Sequence, residues 1–180
     1  SVDSAELIDG AVDDSHMAAM AASKLTGALP AISGASLTGI SDSTPAFYVY
    51  NTGNISVANN TNTILQPASE AFDTDNCYAS GTGRFTPGVA GKYYLKAAWR
   101  IDSSQFTRGL VSIYKNGSAD AGIKAQEYEA NEGGSHAGGN TSAIVTSDAD
   151  DYFTIYAYHN RGLTENVFDV VFMGFKISGT

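Results

Sequence analysis

The sequence predicts an all-β fold, an antiparallel sandwich or jelly roll carried on a short extended N-terminal stalk. Three observations predict it. All 19 aromatic residues of the 180 lie between Phe47 and Phe175. Within that region apolar and polar residues alternate in short runs. Gly, Asn and Asp clusters separate the runs at Asn51–Asn54, Asn59–Asn62, Asn131–Asn140 and Ser147–Asp151. A period of two marks a half-buried strand, and about eight to ten such strands with this punctuation make a sandwich rather than a parallel sheet. The length suits one domain of roughly 100–200 residues with a small appendage.

The strands follow in order. Phe47 and Val49 alternate with Tyr48 and Tyr50 after Pro45. Tyr93, Leu95, Ala97, Trp99 and Ile101 alternate with Tyr94, Lys96, Ala98 and Arg100. Leu110–Lys115 is a strand closed by Asn116-Gly117, the strongest short hairpin signal. Ile123–Glu129, Thr141–Thr146, Tyr152–His159 and Val167–Ser178 complete the set. No helix of ordinary length is expected in residues 43–180.

Residues 1–42 differ in kind. They carry six acids (Asp3, Glu6, Asp9, Asp13, Asp14, Asp42) and one base (Lys24), a net −5, and no aromatic. Too little apolar area is present to offset chain entropy in isolation. The segment is either a flexible linker or a stalk ordered by partner chains. Short echoes favour the stalk: Val2-Asp3-Ser4 returns as Val12-Asp13-Asp14, and Leu25-Thr26-Gly27 as Leu37-Thr38-Gly39. Such echoes suit a thin fibre whose chains share one axis. A single helical turn fits Asp14–Ala22.

Two strands carry more apolar surface than a monomer hides. On Tyr152–His159, Phe153, Ile155 and Ala157 suit the core, which leaves Tyr152, Tyr156 and Tyr158 outside. On the last strand, strict alternation puts Val167, Val171, Met173, Phe175 and Ile177 on one face and Phe168, Val170 and Phe172 on the other. A sandwich strand normally shows one face to water. Tyr152, Tyr156, Tyr158, Phe168, Val170 and Phe172 are therefore the expected subunit interface, since Tyr suits such contacts.

Composition excludes several classes. A net charge of −9 opposes binding to nucleic acid or to an anionic membrane. No run approaches the roughly 18 apolar residues of a spanning helix. There is no signal-peptide pattern, and a first residue of Ser suggests a processed or trimmed piece. The lone Cys77 excludes an internal disulfide.

The residues also resemble a known family. Phe72-Asp73, Tyr78 and then Gly81-Thr82-Gly83-Arg84-Phe85-Thr86-Pro87-Gly88-Val89-Ala90-Gly91-Lys92-Tyr93-Tyr94-Leu95 are similar to the C1q/TNF-like pattern of F-D, a tyrosine and G-x-F-x-x-P-x-x-G-x-Y-x-F. Pro87 stands one place early, and Leu95 replaces the usual Phe. Val111–Gly117 resembles the family's "v-x-i-x-k-N-G" strand. Asp150-Asp151-Tyr152-Phe153 resembles "G-D-x-V" with Asp150 for Gly, and Phe172–Ile177 resembles the closing "F-x-G-F-x-x". The resemblance implies a ten-stranded jelly roll over 43–180 that forms a tight homotrimer and binds, without catalysis, through its outer surface and apex loops. Residues 2–17 and 24–40 resemble linker repeats of tailed-bacteriophage fibre proteins. Together these imply a virion fibre protein, either a tail-fibre or capsid-fibre tip or a decoration protein. Its N-terminus would join other virion proteins, and its head would meet a host-surface glycan or protein. The alternatives are a secreted bacterial C1q-like binding module and a polysaccharide depolymerase.

Catalytic motifs are absent. There is no G-x-S-x-G and no P-loop, and His16, His136 and His159 lack zinc-ligand spacing. Asp148, Asp150 and Asp151 are candidate Ca²⁺ ligands, against the simpler reading of a solvated turn. No other cofactor is expected. Carboxylate pairs for glycoside cleavage would have to come from Asp120, Glu127, Glu129 and Glu132, which more simply keep the surface soluble. Ligand contact is expected on loops at the end opposite the stalk, with Gln105, Phe106, Arg108, His136 and Arg161 as candidates.

Overall fold

A computed structural model of the chain describes residues 44–102, 106–119, 126–131 and 136–178. The expected stalk and its helical turn lie outside the described residues. Among those residues there are twelve strands and no helix. They are β1 (Ala46–Tyr50), β2 (Ile55–Val57), β3 (Thr63–Leu65), β4 (Ser69–Asp73), β5 (Tyr78–Ala79) and β6 (Arg84–Phe85), followed by β7 (Gly91–Ile101), β8 (Phe106–Lys115), β9 (Gln126–Asn131), β10 (Ala137–Ser147), β11 (Phe153–His159) and β12 (Glu165–Ser178).

Two antiparallel sheets result. Sheet A runs β10-β7-β12-β1-β4, with β2 also on β12. Sheet B runs β5-β6-β11-β8-β9, with β3 also on β11. The alternation along β7 emerges as predicted, with Tyr93, Leu95, Ala97, Trp99 and Ile101 buried. Asn116 and Gly117 form the predicted turn, which Lys115 and Ser118 close with reciprocal N–H···O bonds. The short strands β2 to β6 lack a period long enough to be read from sequence.

Aromatic rings join the sheets. Phe47 of sheet A stacks on Phe85 of sheet B at 4.2 Å and takes the edge of Phe172 at 4.9 Å. Phe85 meets Tyr93 at 5.8 Å and Phe153 at 6.2 Å. Each such pair contributes roughly 0.5–1.5 kcal/mol beyond area burial. Burial pushes the Tyr93 phenol up to about 12, and its hydroxyl donates to the Val89 carbonyl at 2.7 Å. The F-D…Y signature proves to be a loop clamp. Asp73 accepts the Cys77 N–H and S–H and the Tyr78 N–H, while Tyr78 donates its hydroxyl to the Pro67 carbonyl. Burial opposes ionisation of Asp73, but these donors outweigh it and hold the carboxyl below its usual range. Burial and the adjacent Asp73 raise the Cys77 thiol well above its ordinary value.

Two expectations need correction. The segment Asn131–Asn140 is not wholly loop, because β10 begins at Ala137 and pairs Gly138 with Arg100 and Gly139 with Trp99. A Cβ at Gly138 would lie 2.8 Å from the Trp99 carbonyl oxygen, so the glycine permits close strand approach rather than loop adaptability. The last strand does not alternate strictly. Its pairing with β7 shifts between Phe168 and Val171, and Asp169 takes a φ of 48°. The irregularity turns both Val167 and Val170 inward, and Phe172 follows. Val170 and Phe172 thus fill the chain's own core and are withdrawn from any subunit interface.

Gly174 faces inward on the same strand. A Cβ there would sit 2.5 Å from Leu95 Cδ2, 2.7 Å from the Tyr94 carbonyl oxygen and 3.1 Å from Phe47 Cε1. The backbone oxygen cannot step aside cheaply. Gly174→Ala should therefore destabilise the fold by roughly 1–3 kcal/mol through overpacking. Denaturant unfolding measures this, and an unchanged midpoint would refute the packing account.

Candidate binding surfaces

The sandwich presents two outward faces of different chemistry. Sheet A exposes apolar groups. Phe72 is 50% exposed, Ile144 69%, Phe175 40% and Ile177 47%. Tyr48, Tyr50, Tyr94, Val171 and Met173 are half-buried among them. Cross-strand pairing makes one surface of these: Tyr94 lies opposite Ile144 and Phe175, Tyr48 opposite Phe72 and Met173. The rings of Tyr94 and Phe175 are 5.5 Å apart, and those of Tyr48 and Phe72 6.4 Å. Toward β10 a groove of about 480 Å³ opens, lined by Lys96, Arg100, His136 and Asn140 over Ala98 and Gly138. Two of its charged groups meet carboxylates. Arg100 Nε lies 2.9 Å from Asp169, and His136 Nε2 lies 3.5 Å from Asp102.

Sheet B exposes tyrosine and arginine. Tyr156 stacks on Tyr114 at 4.1 Å. The Arg84 guanidinium lies over Tyr152 at 4.1 Å, and that of Arg108 over Tyr158 at 5.2 Å. Tyr158 donates to Asn60 Oδ1 at 2.9 Å. Tyr152, Tyr156 and Tyr158 are half-buried, outward and in one row, as the alternation predicts. Phe168 is half-buried on sheet A under Arg100 at 5.6 Å, so it does not join that row.

The candidate loop residues do not converge. Gln105 lies outside the described residues, and Phe106 contributes only its place at the start of β8. Arg108 belongs to the tyrosine row. Arg161 meets Glu165 at 3.4 Å. His136 and Asp102 pair beside β7 and β10 of sheet A. What fixes the sheet B side is Asn160, unnoticed in the sequence, whose Oδ1 accepts the N–H groups of Thr107 and Arg108. His159 bridges the sheets from within, with Nε2 2.9 Å from the Val57 carbonyl and Nδ1 accepting the Arg161 N–H.

The acidic turn is a structural device rather than a cation site. Asp151 is buried and pairs with Lys115. It also accepts Asn116 Nδ2–H at 2.7 Å and the Asp148 N–H at 2.6 Å. Asp148 and Asp150 point into solvent, and no group of three or more metal-binding side chains occurs among the described residues. The Ca²⁺ assignment is therefore dropped. Of the carboxylates considered for catalysis, Asp120 and Glu132 lie outside the described residues, while Glu127 and Glu129 stand on β9.

No family model matches the chain, and no curated protein sequence is similar to it. Solved structures are. The globular domain of zebrafish complement 1qA protein superimposes with a TM-score of 0.59 at 18% identity, covering 76% of this chain and 99% of that one. Murine APRIL gives 0.57 at 10% identity, covering 73% and 98%. PRD1 vertex protein P5 gives 0.56 at 16% identity, covering 77% and 100%. The fold is a C1q/TNF-like jelly roll, the fold these three structures share.

Burial opposes ionisation of Asp151, but Lys115, the Asp148 N–H and Asn116 together hold its carboxyl below the usual range. Its stabilising contribution is then complete above the unfolded carboxylate value near 3.8 and disappears as pH falls through the lower folded value. Asp151→Ala should cost roughly 1–3 kcal/mol at neutral pH by leaving buried donors unpaired. Thermal melts of parent and variant should converge on acidification below about pH 4. A gap that stays constant with pH would contradict this.

Proposed function

We propose that this chain is one subunit of a non-enzymatic homotrimeric binding module on a virion surface, the head of a fibre that attaches to a host-surface ligand. Its self-association surface is the outward face of sheet A. The observation that carries this is the contiguous apolar patch of Phe72, Ile144, Phe175 and Ile177, bordered by Tyr48, Tyr94, Val171 and Met173. Soluble monomers rarely leave a patch of this kind in water, and interfaces of obligate assemblies resemble a core cut in half. The interface expected on Tyr152, Tyr156 and Tyr158 moves to the opposite sheet, because sheet B covers its rings with guanidinium groups while sheet A shows bare hydrocarbon. The C1q/TNF-like fold supports a trimer, and the likeness to a vertex protein supports a virion. Among the described residues no helix is long and apolar enough to cross a membrane.

Light scattering at micromolar concentration should give about 56 kDa, three copies of 18.8 kDa. Phe175→Asp should shift the mass to 18.8 kDa, because an unpaired charge cannot be buried between subunits. A parent that runs as a monomer would overturn the assembly.

A further inference from the structure

We infer that the tyrosine–arginine row on the outward face of sheet B binds an acidic glycan, a chain of sugar rings bearing carboxylates. This rests on the proposed assembly through sheet A, which leaves sheet B facing outward.

Three features of the row point to such a ligand. The first is its shape. Tyr156 and Tyr158 stand on one face of β11, Tyr152 immediately precedes that strand, and Tyr114 stacks on Tyr156 from β8. From Tyr152 to Tyr158 the row spans six residues, about 20 Å at roughly 3.3 Å each. A flat, half-buried aromatic strip of that length matches several consecutive sugar rings, whose C–H faces pack on aromatic planes while hydroxyls reach the phenols.

The second is charge. Arg84 is exposed and lies over the Tyr152 ring at 4.1 Å, and no carboxylate partners it among the described residues. In a chain of net −9 an unneutralised guanidinium is a conspicuous resource. Held against a ring, its planar fork keeps N–H edges oriented for bidentate contact with a carboxylate. Arg108 lies over Tyr158 at the other end, so two cations bracket the strip.

The third is unmet hydrogen bonding. Ser112 lies opposite Tyr156 and Thr154 opposite Tyr114, so two hydroxyls and two rings form one block of the outward face. Ser112 is 0% exposed and Thr154 2%, yet neither hydroxyl oxygen has a hydrogen-bond partner among the described residues. Buried hydroxyls are nearly always satisfied. Both oxygens are sealed from solvent, so a polar ligand group satisfies them by shifting the side chains that cover them. An acidic peptide would use the arginines but not the strip of ring faces, so the sugar is favoured.

The test uses the full chain and fluorescent oligogalacturonide, with labelled dextran oligosaccharide and polyglutamate as comparators, followed by anisotropy at about 0.1 M salt, where interactions between exposed charges reach only about 10 Å. Oligogalacturonide should bind, and Arg84→Gln should weaken it about tenfold or more. Arg84→Lys, which keeps the charge but loses the fork, should fall between. Tyr156→Ala should weaken binding at least as much, while the mass by light scattering stays that of the parent. Because Arg84 is exposed, its variants test the site even if Tyr156→Ala misfolds. The inference is overturned by no oligogalacturonide binding, by equal binding of dextran or polyglutamate, or by variants that bind like the parent. It is also overturned if a folded Tyr156→Ala loses the parent's assembly, since the row would then be a subunit contact. A monomeric parent that binds oligogalacturonide through Arg84 supports the site and refutes only the trimer.

Discussion

The shift in β12 at Asp169 is the constraint on which both outward faces depend. This strand lies at the centre of sheet A and pairs with β7, β1 and β2. It must serve the core along its whole length. By placing one residue at a φ of 48°, the strand directs Val167 and then Val170 and Phe172 inward. The residues that follow outward are Val171, Met173, Phe175 and Ile177. A strand without the shift would put Val170 and Phe172 outside and leave the rings of Phe47 and Tyr78 without their edge contacts. Because Phe47 also stacks on Phe85, the seam between the sheets would open with it.

From that geometry follows a division of labour. Sheet A carries apolar residues on both sides of β12, one side for the core and one for the proposed neighbouring subunit. Sheet B keeps its hydrocarbon inward and shows rings capped by guanidinium groups. The difference is one of solvation. Bare Phe and Ile side chains gain by leaving water. A Tyr with Arg on its face stays soluble, yet still offers a large, stiff contact surface. Two sheets of one sandwich are thereby suited to two partners.

Much of this is readable in the sequence, and the failures have physical causes. The alternation of Tyr93 to Ile101, the Asn116-Gly117 turn and the outward Tyr152, Tyr156 and Tyr158 rest on local rules, which tertiary context left intact. The bulge at Asp169 was invisible, since a single non-glycine residue at positive φ leaves no pattern. A strict period of two therefore sent Val170 and Phe172 to the wrong side. Gly138 and Gly139 read as loop because a glycine that admits a neighbouring strand looks the same as one that bends. Asp151 read as a cation ligand because its partner, Lys115, is distant in sequence and lies on another strand. The exposed patch on sheet A was scattered over β1, β4, β7, β10 and β12, so no window along the chain contains it.

The two proposed surfaces reinforce one another. A threefold assembly through sheet A presents three copies of the sheet B row at once, all facing away from the axis. An extended glycan on a host surface repeats its own sugar units. Each row then needs only modest affinity, because a second engagement proceeds at an effective concentration set by the spacing of the copies rather than by the bulk. Modest single-site affinity agrees with what the row offers, a handful of stacking and ion-pair contacts on an open sheet face rather than a deep pocket. It also accounts for an adhesive surface on an acidic chain. Long-range repulsion between a −9 subunit and an acidic polymer is screened beyond about 8 Å at physiological salt, while Arg84 acts within that distance. Binding of this kind is selective for dense, repeated targets and weak toward isolated sugars, which is the behaviour an attachment module requires.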